Sequence, residues 1–178
     1  GVENWSTISG GTFQNGCSVT NYGTIKGNGI FNGEVSNNAA TATIENGTFN
    51  GKVSNNQGGK ITNGTFEQEV INNAGGEISG GAFNKKVSNI NGKISRGIFM
   101  GDVTNDSDGQ ILGGTFAGKV TNYGNIDRKG TFNGSVGSGP GGTISNGTFN
   151  GTVENFVGTI SGGTFKETVI NSNGEITG

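Results

Sequence analysis

Three apolar residue types recur along the chain in one fixed order. The unit is clearest between Gly142 and Asn155, where Ile144 is followed by Phe149 five residues later and by Val153 four beyond that. Each is flanked by polar residues, as in Thr143-Ile144-Ser145, Thr148-Phe149-Asn150 and Thr152-Val153-Glu154. Alternation over two or three residues predicts very short strands with one face turned inward. A helix needs apolar residues three and four apart on one stripe, and each interior glycine costs it about 1 kcal/mol, so this pattern excludes it.

The phenylalanine of the unit returns at Phe13, Phe31, Phe49, Phe66, Phe83, Phe99, Phe116, Phe132, Phe149 and Phe165, at intervals of 16 to 18 residues. Ile and Val keep step with it from Ile8 to Ile176 and from Val19 to Val169. Self-similarity at so short a period predicts a solenoid, in which neighbouring repeats bury each other's apolar faces. The predicted fold is an all-β, single-stranded parallel β-helix of about ten coils of 16–18 residues. Each coil carries three short strands, and one continuous solenoid runs over residues 1–178. Parallel crossovers favour a right-handed coil. Neither end of the sequence resembles a capping segment, which leads us to expect a piece of a longer repeat protein.

Two glycine columns accompany the apolar ones. Glycine stands two residues before every phenylalanine of the unit and, with Ser6 and Ala42 as small substitutes, two before nearly every isoleucine. Such glycines either leave room for an inward side chain or turn corners at positive φ. Asparagine follows valine by two residues throughout, except at Ser138, and an amide repeated on successive coils can donate to one neighbour and accept from the other. Just before valine, Glu34, Lys52, Glu69, Lys86, Asp102 and Lys119 alternate in sign, which predicts an ion ladder along parallel, in-register coils. Lys60, Glu77 and Lys93 repeat the pattern before isoleucine.

Composition narrows the classes further. With Gly 38 and 29% hydrophobic residues the chain is too glycine-rich for a conventional globular core, yet register kept over ten units argues against disorder. A net charge of -2 supplies no basic field for nucleic acid, and no apolar run reaches the roughly 18 residues of a membrane-spanning helix. With His 0 and Cys 1 there is neither a His-based triad nor a His/Cys metal set. Cys17 reads as a small buried hydrophobe beside a bulge. Asn105-Asp106-Ser107-Asp108-Gly109 spaces its oxygens like a calcium loop but lacks the twelfth-position glutamate, and reads as a solvated corner. Glu67 and Glu69 share a coil, but Lys52 and Lys86 flank Glu69 and no second acid column stands beside it, so no enzyme and no cofactor is expected.

Candidate contact residues are the outward departures from polarity. Trp5, Tyr22, Tyr123 and Phe156 all lie three residues after a valine and could stack on sugar rings. Ile98 and Met100 flank Phe99, Ala82 and Ala117 match them one coil to either side, and Leu112 and Ile90 lie on adjoining stretches. A contiguous apolar area of this kind suggests lateral self-association or contact with a partner. The residues just before phenylalanine are threonine in seven coils of ten, a row that ice-binding solenoids use when it is flat. The companion position after phenylalanine is uneven, from Glu67 and Met100 to Ala117 and Lys166.

The unit GTISGGTFNGxVxN resembles the Gly-, Thr- and Asn-rich repeats of bacterial cell-surface and adhesin-type β-helix proteins over nearly the whole chain. That resemblance implies an extracellular or cell-surface rod, a stalk or adhesin segment, whose partners would be a host or cell-surface glycan or protein. It carries over no binding residues. Ice binding is the alternative function.

Overall fold

The computed structural model describes residues 1–177, so Gly178, the last residue of the expected solenoid, lies outside the described residues. The chain winds through three parallel sheets of eleven, eleven and ten strands, visiting each sheet once per coil. We call them the Val, Ile and Phe sheets. The Val sheet runs from Val2–Asn4 to Val169–Ser172, the Ile sheet from Thr7–Ile8 to Glu175–Ile176, and the Phe sheet from Thr12–Phe13 to Thr164–Phe165. No helix occurs among the described residues.

Register is kept from coil to coil: Val53 pairs with Val35 and Val70, Ile61 with Ile44 and Ile78, Phe66 with Phe49 and Phe83. Bulges that would shift it are absorbed in corners. The two extra residues after Phe13 close a turn in which the Cys17 amide donates to the Gln14 carbonyl at 2.9 Å. Val19 therefore takes the core position, and Cys17 is only half-buried, against the expectation of a buried thiol.

Between Val19 and Ile160 the inward faces bury all three apolar columns, which are partly exposed at the two ends of the stack, and the phenylalanines form one pile. From Phe13 to Phe165 successive ring centroids lie 4.7–4.9 Å apart with planes within 9° of parallel. That spacing is the parallel-strand step, and since carbon surfaces pack at about 3.5–4.0 Å the rings must be tilted and slid past one another into the favoured offset stack. Each fully buried ring contributes roughly 1.5–3 kcal/mol by leaving water.

At the corner between the Val and Ile sheets runs the asparagine ladder. Asn55 donates one amide hydrogen to Asn72 Oδ1 at 2.8 Å and the other to the Gly59 carbonyl at 2.8 Å, and Asn72 repeats the pair with Asn89 and Gly76. The rungs run without a break from Asn4 to Asn122. At Ser138 the ladder breaks: the shorter side chain leaves its own Oγ and Asn155 Oδ1 buried with no partner.

The two glycine columns turn out to do different things. Gly47, Gly64 and Gly97 adopt φ of 128–136°, and a Cβ there would also press on a phenylalanine ring at 3.1–3.2 Å, so both expected roles coincide. In the column before isoleucine no φ is positive; a Cβ at Gly59 would sit 2.7 Å from Asn55 Oδ1 and 2.8 Å from Asn37 Nδ2. That column exists to admit the amides. Left-handed corners fall instead on other residues, among them Val157 at φ 62°, a costly conformation for a β-branched side chain.

The ion ladder is only partly realised. The alternating charges do stand in register, but among the described residues one pair closes, Lys52 Nζ to Glu69 Oε2 at 3.2 Å. Asp102 accepts instead from the Lys119 backbone amide at 2.9 Å. Exposed pairs gain at most about 1 kcal/mol against the entropy of holding two long side chains, so water competes successfully for the rest.

Truncating mid-stack Phe83→Ala should cost about 3–5 kcal/mol in a urea or thermal unfolding measurement, the usual loss for a core aromatic. Ser138→Asn should act the other way and raise stability by about 1–2 kcal/mol, by replacing the orphaned hydroxyl with an amide that donates to Asn155 Oδ1.

Candidate functional site

Among the described residues the buried polar side chains are the ladder asparagines and Ser138, so the candidate sites lie on the outer faces, and the sheets decide which outward residues meet. On the Phe sheet the positions before phenylalanine form one column, in which Ile98 stands between Ala82 and Thr115. Met100 and Ala117 follow one another in the column after phenylalanine, each hydrogen-bonded to the phenylalanine carbonyl of the coil before. Ala82, Ile98, Met100 and Ala117 therefore make one apolar area, with Ile98 54% and Met100 57% exposed. Leu112 does not join it. It follows the Ile-sheet strand Gln110–Ile111 and is half-buried on that sheet's outer side, while Ile90 belongs to the Val sheet. The threonine row is in register on the same Phe sheet, with Thr115, Thr131, Thr148 and Thr164 consecutive.

The four aromatic residues separate into two places. Trp5 and Tyr22 stack face to face at 4.0 Å, with planes 14° apart. Tyr123 stands six coils beyond Tyr22 and Phe156 eight, two coils from each other, with Gly139 in the coil between. Around them is a cleft of about 300 Å³ on the outside of the Val sheet. Its floor is the glycine-rich coil Gly137 to Pro140, and its walls carry Tyr123 and Phe156. The reading of the aromatic column missed the floor. The signal was present, since Gly137 falls where neighbouring coils put Thr121 and Glu154 on the outer face.

A second hollow, of about 510 Å³, lies beside Leu112. It brings together Arg96 and Arg128, the only arginines in the chain, together with Lys129. Sequence reading passed over these because net charge hides a local cluster.

The remaining candidates are spent locally. Glu67 Oε2 accepts from Asn84 Nδ2 at 3.0 Å, and Glu69 is held by Lys52. In the calcium-like corner Asn105 is a buried ladder rung and Asp106 Oδ1 accepts from the Ser107 amide at 3.0 Å. No group of three or more metal-ligating side chains occurs among the described residues. No helix among them is long and apolar enough to cross a membrane. No protein family, curated protein or solved structure matches the chain.

If the Phe-sheet patch mediates lateral association, wild type should show concentration-dependent mass by light scattering, and the Ile98→Thr, Met100→Asn double variant should stay monomeric. Equal monomer mass for both at high concentration would count against an association surface there.

Proposed function

We propose that this chain is a rigid, non-catalytic spacer, a rod-like stalk or adhesin segment of an extracellular or cell-surface protein. The observation that carries the reading is the unbroken pile of ten phenylalanine rings together with the asparagine ladder. Neighbouring coils are locked by ring contact and backbone pairing and, except at the two joints around Ser138, by side-chain amide bonds as well. Such a body resists bending at any single joint, because a hinge would have to break these contacts together. The likeness of the repeat unit to bacterial surface proteins supports the location, as does a polar exterior broken only by small patches.

Ice binding draws on the in-register threonines, but Ile30 and Ile98 interrupt that row and the companion column holds charged and bulky side chains. A flat face of uniform hydration is not built there. Acid–base hydrolysis of a glycosidic bond would need two carboxylates held toward a common substrate, whereas Glu67 and Glu69 are each engaged by an adjacent coil.

Rigidity is directly measurable. Spin labels at Glu45→Cys and Ser161→Cys, in a Cys17→Ser background, are seven coils apart in one column, about 34 Å at the parallel-strand step. A narrow distance distribution is expected from double electron–electron resonance. A broad one would remove the spacer reading, and failure of a specific antibody to label intact cells that carry the protein would remove the surface location.

A further inference from the structure

Where a repeat protein departs from its own unit in several positions at once, the departures invite a common cause. They coincide in the coil Val136 to Gly141. The outer face loses its side chain at Gly137, the ladder loses its amide at Ser138, the next outward position is Gly139, and the chain's single proline follows at Pro140. The coils on either side supply Tyr123 and Phe156, 39% and 57% exposed. The result is a groove across the rod, open to solvent, between two aromatic residues.

We propose that this groove is a carbohydrate site that takes the C–H face of a pyranose ring. Its volume, about 300 Å³, is at the small end for ligand pockets and suits a ligand of one or two rings. Tyr123 leans across the gap: a Cβ at Gly139 would lie 2.5 Å from Tyr123 Cε1, so only glycine lets the ring rest there. With Phe156 on the far wall, the ligand meets an apolar surface on one side. Around the edge stand Lys119, Thr121 and Glu154, a donor, a hydroxyl and an acceptor. Among the described residues neither Lys119 nor Glu154 is in an ion pair, which leaves both free for hydroxyls that donate as well as accept.

A peptide fits less well. Strand addition needs an open sheet edge, but this floor is the face of a central strand whose Val136 and Ser138 already pair with the coils on both sides. Pro140 restricts the backbone at the end of the floor, which lowers the ordering cost of binding there.

The floor also supplies its own test. A Cβ at Gly137 meets nothing within 4 Å and its φ is not positive, so Gly137→Thr should fold while restoring the outward threonine of Thr104 and Thr121 and filling the groove. Saturation-transfer difference NMR with methyl glucoside, methyl galactoside, methyl mannoside and methyl N-acetylglucosaminide should show transfer to the ring C–H protons of at least one. Gly137→Thr and Phe156→Ala should each weaken that binding about tenfold or more, whereas Trp5→Ala, at the distant stacked pair, should leave it unchanged. No transfer to any of the four at millimolar concentration would overturn the proposal. So would transfer that persists in Gly137→Thr, or binding of a capped Gly-Tyr-Ser peptide with none of the sugars.

Discussion

Everything in this molecule depends on parallel, in-register stacking at one strand spacing per coil. Under that constraint each residue sits directly above its own kind. The constraint rewards side chains that bind copies of themselves: phenylalanine rings stack, and asparagine amides both donate and accept. It penalises those that repel copies of themselves, and the charged columns accordingly alternate in sign. Their alternation needs only to avoid repulsion. The structure bears this out, since Lys52 and Glu69 close an ion pair while Lys60, Glu77 and Lys93 sit in register without one.

The same constraint explains how a chain with so few apolar residues holds a core. A mid-stack coil turns four large side chains inward, one each of Val, Asn, Ile and Phe, and the glycines keep room for them. Beside the rings, glycine also supplies a left-handed backbone, as at Gly47. Beside the ladder, its missing Cβ is the whole point, because the amides of Asn37 and Asn55 occupy the volume that a side chain at Gly59 would need.

Regularity and recognition pull in opposite directions here. A perfect stack presents the same face along its length and offers no particular place for a ligand. Local identity arises only where the unit is broken, and breaking it inside is costly, as the orphaned Ser138 Oγ and Asn155 Oδ1 show. That the interior defect and the exterior groove share one coil links the two: an amide at Ser138 would favour the interior, and the sequence does without it beside Gly137 and Gly139. The Phe-sheet patch around Ile98 differs in kind, for it leaves the core columns intact and alters only the surface.

The fold was legible in the sequence because its period is short and its inward residues are of three types in a fixed order, so that identical neighbours could be inferred from spacing alone. Sheet membership of the columns, the phenylalanine pile and the asparagine ladder followed from that register. What tertiary structure alone decided is how far side chains reach across it. Spacing could not say that most charged pairs stay apart, because solvent competition depends on exposure and rotamer. Cys17 was expected to be buried beside the bulge, whereas the turn from Gln14 leaves it half-buried next to the core residue Val19. The aromatic residues were found as a column, but only the three-dimensional arrangement separates Trp5 and Tyr22, which cover each other, from Tyr123 and Phe156, which frame a groove. That groove is made by absent side chains, and an absence acquires a shape only when the coils around it are in place.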